Sequence, residues 1–567
     1  MEEFKNKKVL IFGLGILGGG VEAAKWFYKR GARLRITDLK KRKDLEKSIK
    51  ILEKLMLTTR TKHGLNTDLH EHKNNMSEKS VYSPNQSVQS EKSVLSPPKS
   101  AIRYILGKHR KEDIDWADIV YVNPGVSYKN EFIQYAIKKK KEIVNDCYLF
   151  FKYSKGDIIA ITGTRGKTTT TTWIYEILTY ILKEILNKSR ININVLLGGN
   201  QPEHSLFKIL DKTNDKSISV LELSSFQLEF YKKNLKAPKI AIITCLLRDH
   251  LNRYKNMKEY AKVKGKIFMN QTESDYLILN YDNEWTNYFL SLSPKSQIYF
   301  VSAKRKLNRG IYVNKNCVYI KDNREIKILD IKNFKEIYGE HNLYNLLFSI
   351  LACYLYIKDK NKNFREETFN KLIKKFIKNL KTPKFRQEII FTSKNLMIIN
   401  DSASTTPDAT IAALKRFSLT QKYTDLTQKY IEQFSINYPF SSVNSGLILI
   451  AGGTDKNLDF KDLAKEIKKR IKPENLILIN GSATKKLIKE LISIKYQINK
   501  ENIVEDLKDA ILKALKQFKN LNTNQSKNRY VILFSPGAAS FEKFKNEFDR
   551  GEKFNKLIKQ KLKNFIQ

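Results

Sequence analysis

The residues with the clearest chemical purpose are Gly163-Thr164-Arg165-Gly166-Lys167-Thr168, which follow the apolar run Ile158–Ile161 and lead into further threonines from Thr169. Backbone N–H groups of a glycine turn can surround an anion, Lys167 can reach terminal phosphates and the Thr168 hydroxyl can meet Mg2+. The strict phosphate-loop pattern would have a first glycine where Ile161 stands. A threonine-rich helix start would explain the threonines, but not Gly-Lys-Thr directly after an apolar strand. A second glycine turn, Gly13-x-Gly15-x-x-Gly18, also follows an apolar run, and Asp38 lies twenty residues beyond its last glycine. That outline suits a pyrophosphate at a helix start, with Asp38 accepting from a ribose or base. By itself it describes a merely tight strand-to-helix turn equally well.

Positioning these loops requires α/β layers, and three segments have that pattern of a short apolar strand, a glycine turn and a helix. The first has strands at Lys8–Phe12, Leu34–Asp38 and Ile119–Val122. The second has Ile158–Thr162, Ser217–Leu223, Ile240–Thr244 and Tyr276–Asn280. The third, from about Arg386, has Leu396–Asn400, Gly446–Ala451, Leu476–Asn480 and Val531–Ser535. Two tracts interrupt them. Residues 58–100 are polar and repetitive, with Ser77-Glu-Lys-Ser-Val returning at Ser90, and are expected to be a disordered insertion. Residues 419–445 repeat Leu-Thr-Gln-Lys-Tyr and form a second expected insertion.

A length of 567 residues allows three or four domains at about 150 residues each. The net charge of +45 raises nucleic acid as a partner. Lysine dominates the excess and is spread along the whole chain, which favours solvated lysine faces over a nucleic-acid surface, so no nucleic acid is expected. No apolar run approaches the eighteen or so residues that span a bilayer, and the amino terminus lacks a signal-peptide pattern, so no membrane and a cytoplasmic location are expected. Cys147, Cys245, Cys317 and Cys353 have no metal-binding or disulfide spacing.

Seven blocks occur in a diagnostic order. They are the phosphate loop, Leu221-Glu-Leu-Ser-Ser-Phe-Gln-Leu-Glu229, Arg248-Asp-His-Leu-Asn-Arg-Tyr254, Gly339-Glu-His-Asn-Leu-Tyr-Asn345, Asn400-Asp-Ser-Ala-Ser-Thr405, Gly452-Gly-Thr-Asp-Lys456 and Ser535-Pro-Gly-Ala-Ala-Ser-Phe541. Together they resemble the Mur ligases of peptidoglycan synthesis, and the second and last look most like the D-glutamate-adding branch. The resemblance implies a three-domain α/β enzyme: a Rossmann-like UDP-binding domain (1–156), a central phosphate-loop ATPase domain (157–384) and a Rossmann-like amino-acid domain (385–567). It implies a monomeric ligase whose third domain closes on binding. ATP would activate the carboxylate of UDP-N-acetylmuramoyl-L-alanine as an acyl phosphate, which the amine of D-glutamate would displace, leaving ADP and phosphate.

By the same resemblance, Glu222 and His250 are Mg2+ ligands, Thr168 lies near the nucleotide-bound metal, and Lys264 is the lysine that such ligases carbamylate. Lys262 and Lys266 flank it two residues away on either side. Lys167 is catalytic, and Gly163 to Thr169, Asn342, Asn345, Arg386 and Asp401 contact ATP. Gly15, Ile16, Leu17, Asp38, Leu39, Asn200, Ser224 and Gln227 serve the UDP-linked substrate, while Thr405, Lys456, Ser540 and Phe541 surround D-glutamate. Bland alternatives are a solvated carboxylate for Glu222, a hydrogen-bonded imidazole for His250, helix caps for the two asparagines, a surface ion pair for Arg386 and an exposed amine for Lys456.

This chain departs from the family pattern at Arg165, usually Asn, at Ala403, often Lys, at Phe385, commonly His, and at Glu547, often aromatic. Those departures bear on the amino-acid acceptor more than on ligation. Other readings are a different Mur-type or folylpolyglutamate-type ligase, a nicotinamide-dependent dehydrogenase using the first glycine turn, and a nucleic-acid-stimulated ATPase.

Overall fold

Strands that helices cover on both faces read as unbroken apolar runs. Ile119–Val122, Ile240–Ile243 and Leu476–Ile479 are buried at every residue. The computed structural model describes residues 2–15, 18–71, 102–186, 193–199, 204–332, 334–378, 380–393, 395–417, 446–522 and 530–563. The chain is mixed α/β with largely parallel sheets, and it divides into two compact units. One comprises Met1–Ile158, Leu196–Pro238 and His250–Asn270; the other comprises Ile159–Val195, Lys239–Asp249 and Gln271–Gln567.

The first unit contains a five-stranded parallel sheet in the order Arg103–Leu106, Arg33–Asp38, Lys8–Phe12, Ile119–Val122, Glu142–Val144. The first glycine turn therefore leaves the central strand, where strand order reverses and α/β folds bind ligands. Leu10, Phe12, Val120 and Val122 pack with Ile133 and Phe230 beneath it. The helix Arg42–Glu71 continues through residues 58–71, which the sequence assigned to a disordered tract. A proline-free stretch extends a helix already nucleated at little further cost. The rest of that tract, 72–100, lies outside the described residues, as do 419–445 of the second.

In the second unit, residues 159–162 of the strand Asp157–Thr162, then Ile240–Ile243, Tyr276–Asn280, Gln297–Ser302 and Gly310–Asn314 pair in parallel succession. Antiparallel strands Cys317–Lys321 and Glu325–Asp330 continue the sheet. Lys315 and Asn316, both at positive φ, make the tight turn before Cys317. A six-stranded sheet follows, ordered Glu388–Thr392, Leu396–Asn400, Tyr530–Phe534, Gly446–Ala451, Leu476–Ile479, Ile503–Val504. Its strands alternate between two cores. Ile399, Leu449 and Leu533 enter one, and Ile398, Ile450 and Phe534 enter the other.

A buried fork anchors the first unit near the candidate residues Glu222 and His250. Arg253 donates from Nε to Glu229 Oε1 (2.7 Å) and from Nη2 to Oε2 (2.6 Å), and the Tyr254 hydroxyl adds a bond to Oε1 (2.9 Å). Only 9% of the Arg253 side chain and 7% of that of Glu229 are exposed. Replacing one partner leaves a buried charge uncompensated. We therefore expect Arg253→Met to cost about 3–5 kcal/mol in urea unfolding, well beyond the effect of an exposed Arg→Met change.

Candidate active site

The phosphate loop is shaped by what surrounds it. Gly163 has φ +144°, and a Cβ there would lie 1.9 Å from Thr244 Oγ1; at Gly166, φ +82°, it would lie 2.4 Å from Asn345 Oδ1. Both positions therefore require glycine. The Thr244 hydroxyl donates to the Arg165 carbonyl (2.6 Å), and Thr164 N donates to Cys245 O (2.8 Å). The helix Lys167–Leu186 begins at the lysine, so its N-terminal N–H groups and Lys167 flank one turn suited to an anion. Lys167 Nζ donates to Thr164 O (3.2 Å). Thr168 and Thr169 are both buried.

The other ATP-contact candidates converge here to different degrees. Arg386 Nη2 donates to Thr168 Oγ1 (2.9 Å). Phe385 and Gln387, on either side of Arg386, both have positive φ, +61° and +51°, so the guanidinium projects from a strained corner. Asp401 secures that corner by accepting from Gln387 N (3.0 Å) and Ser535 Oγ (2.7 Å). Asn345 accepts from Thr170 Oγ1 (3.3 Å) and donates to Asn342 Oδ1 (2.9 Å), while Asn342 donates to Tyr338 O (2.7 Å). The two asparagines thus brace the loop helix.

Glu222, His250 and Lys264 all belong to the first unit. Glu222 ends the buried strand Ser217–Glu222, and its Oε2 is buried without a hydrogen-bond partner among the described residues. Phe226, four residues on, places its ring 4.9 Å from that of His250, which lies 5.8 Å from the Tyr260 ring. Lys264 Nζ lies 4.8 Å from the same Tyr260 ring. His250 has φ +55°, held where Arg253 N and Tyr254 N both donate to its carbonyl. Among the three closely spaced lysines, Lys264 is buried and Lys262 exposed, while Lys266 donates to Glu229 O (2.6 Å). No three His, Cys, Asp or Glu side chains cluster as a ready-made metal site among the described residues.

Ser224 and Gln227 form a reciprocal capping box on the short helix Ser225–Leu228, and Gln227 Nε2 donates to Asp146 (2.8 Å). Burial pushes Asp146 up to about 6, against the pull of that amide. In the first glycine turn, Gly15 N donates to Asp38 Oδ2 (3.0 Å) and Lys40 N to Oδ1 (2.9 Å). Asp38 therefore fastens the turn to the next strand, and Leu39 beside it is exposed. Ile16, Leu17 and Asn200 lie outside the described residues.

The acceptor candidates lie at the end of the six-stranded sheet. Lys456 Nζ lies 5.7 Å from the ring of Phe541, which is 60% exposed. Desolvation lowers the Lys456 ammonium pKa, with Arg165 and Arg550 adding to the effect and Glu547 and Asp249 opposing it. Ser540 Oγ is buried with no partner among the described residues. Thr405 is half-buried, directly after the buried Ser404.

Residues 161–353 match the model of the Mur ligase middle domain. Over 98% of this chain and 99% of the relative, the sequence is 32% identical to UDP-N-acetylmuramoylalanine--D-glutamate ligase of Borreliella afzelii. It is 31% identical to the enzyme of that name from Caldanaerobacter subterraneus subsp. tengcongensis, over 80% of this chain and 86% of the relative. This chain belongs to the Mur ligase family. The fold agrees with that of a solved UDP-N-acetylmuramate-alanine ligase from Thermotoga maritima, with TM-score 0.50, 18% identity and coverage of 98% of this chain and 99% of the other.

Three side chains in this Mur ligase were not singled out by its sequence. Arg550 is fully buried and, among the described residues, donates to Ser402 Oγ and the carbonyls of Ser402, Ala538 and Ala539, bracing two of the family blocks against each other. Asp249 and Asp408 both receive Arg165, whose Nη1 lies 3.0 Å from Asp249 and whose Nε lies 2.8 Å from Asp408. Only long-range contact reveals these roles.

Asp401 gives a stability test. Burial pushes it up to about 7, against the bonds from Ser535 and Gln387 and the charges of Arg386 and Arg416. The folded state then holds a proton that the unfolded state releases near pH 4, so stability falls as pH rises from about 4 to 7. Urea midpoints across that range should fall for the wild type relative to Asp401→Asn.

Proposed function

We propose that this Mur ligase joins D-glutamate to UDP-N-acetylmuramoyl-L-alanine, using ATP through an acyl phosphate and releasing ADP and phosphate. The observation carrying this reading is the 32% identity, along nearly the full length, to a ligase named for that reaction. The glycine turn at Gly15, with Ile16, Leu17, Asp38, Leu39, Asn200, Ser224 and Gln227, serves the UDP-linked substrate. Residues to 156, 157–384 and 385–567 divide the work among UDP-substrate, ATP and amino acid. The protein works as a cytoplasmic monomer.

The residues supply the needs of the reaction in order. Loop N–H groups, Lys167 and Arg386 bind the phosphates, so that a substrate carboxylate oxygen can attack the γ-phosphorus while ADP leaves. The amine of D-glutamate then attacks the acyl carbon, phosphate departs with the bonding pair, and the amine loses a proton. Lys456 pairs with a carboxylate of D-glutamate, Ser540 donates to it, and Thr405 and Phe541 bound it. Glu222, His250 and Lys264 as its carbamate would hold Mg2+, and Thr168 would serve the metal bound with the nucleotide; magnesium when bound neutralises phosphate charge. Glu222 Oε2, buried with no hydrogen-bond partner among the described residues, fits an oxygen ligand for a cation. Carbamylation adds CO2 to a neutral amine with release of a proton, and Lys264 is the buried one of three closely spaced lysines.

An ADP-release assay tests the whole reading. Turnover should require UDP-N-acetylmuramoyl-L-alanine and D-glutamate together, and Lys167→Ala should lower kcat/KM at least about 100-fold. Turnover only with L-amino acids or a folate would overturn the acceptor assignment. Protein equilibrated with 13C-bicarbonate should show a carbamate carbon resonance that Lys264→Ala lacks; the same resonance in the variant would rule out this lysine.

A further inference from the structure

Arg165 stands in the phosphate loop where the family usually has Asn, and it does not point away from the protein. Its Nε and Nη2 donate to Asp408 Oδ2 (2.8 Å) and Oδ1 (3.1 Å), forming a two-pronged fork. Nη2 also donates to Thr406 Oγ1 (3.0 Å), and Nη1 to Asp249 Oδ2 (3.0 Å) and Thr164 O (3.3 Å). The guanidinium thus makes five polar contacts, three of them to two carboxylates more than eighty residues away in sequence.

The location of those partners gives the contact its meaning. Thr406 directly follows Thr405, and Asp408, three residues beyond Thr405, lies in the first turn of the helix Pro407–Phe417. Asp249 also acts on the charge of Lys456, as does Arg165 itself. One side chain therefore ties the loop suited to ATP phosphates to the segment leading from an acceptor candidate. Asn has neither the charge nor the reach for a bidentate carboxylate fork.

We propose that Arg165 is a positioning residue that couples the phosphate loop to the amino-acid site by holding the Thr405–Asp408 segment in its binding geometry. This rests on the ligase reading given above. Coupling of this kind is reciprocal, so each site feels the loss of the fork. Arg165 does not need to touch a phosphate for this role.

The test is a double-mutant cycle on the full-length enzyme, with Arg165→Ala, Asp408→Ala and the pair assayed by ADP release. Each single variant should raise KM for D-glutamate roughly tenfold, equivalent to about 1.4 kcal/mol, and by more than it raises KM for ATP. The pair should be no worse than the poorer single variant, and the swapped pair Arg165→Asp with Asp408→Arg should recover part of the loss. A rise in KM for ATP alone with Arg165→Ala, while Asp408→Ala is silent, would make Arg165 a phosphate ligand and overturn the proposal. Unchanged KM for D-glutamate in both singles would overturn it too. If Arg165→Ala does not fold, Arg165→Gln replaces it under the same criteria. Wild-type enzyme inactive with D-glutamate would instead refute the ligase reading, so the two failures are distinct.

Discussion

Everything around the nucleotide loop depends on a single hydroxyl. Thr244 directly follows the neighbouring parallel strand Ile240–Ile243, and its Oγ1 donates to the carbonyl of Arg165 while its N–H donates to Thr162 O. That grip sets how sharply the chain turns after Thr162, and it leaves no room for a side chain at Gly163. On the far side, Asn345 closes against Gly166 and accepts from Thr170. A loop caught between a strand end and a helix has its N–H groups oriented before any ligand arrives, which reduces the reorganisation that binding would otherwise require.

The first unit uses a related device on a different scale. His250 occupies a backbone conformation that histidine rarely adopts, and the chain maintains it by directing Arg253 N and Tyr254 N to its carbonyl. The Arg253–Glu229 fork fixes the following residues, and Phe226 and Tyr260 meet the imidazole in edge contacts. Position here follows from packing and a buried ion pair, not from the intrinsic preference of the local sequence.

Much of the fold was legible because apolar runs and glycine turns punctuate the sequence at the right intervals. The strands Lys8–Phe12, Ile119–Val122, Tyr276–Asn280, Leu396–Asn400 and Gly446–Ala451 are where the sequence places them. The hairpins of Gly310–Asp330 were not legible, since their tight turn uses Lys315 and Asn316 without glycine. Spacing could not separate Lys264 from Lys262 and Lys266, because three lysines within five residues differ only in which is buried. The capping box of Ser224 and Gln227 carries the local signature Ser-x-x-Gln, although the sequence reading gave both residues only to the substrate. The fork from Arg165 to Asp408 was not, because 243 residues separate donor and acceptor.

Phe385 and Gln387 carry a consequence for what substitution can reach. Each sits in a conformation where glycine would relieve about 1 kcal/mol or more of strain, so a sequence selected for stability alone would drift toward glycine at both. Neither is replaceable without loss: the Phe385 ring packs against Gly551, and Gln387 Oε1 accepts from Arg416 Nη1 (3.0 Å). The corner that presents Arg386 is thus a local optimum with no single-step exit, where each stabilising change would remove a contact that keeps the arginine in place.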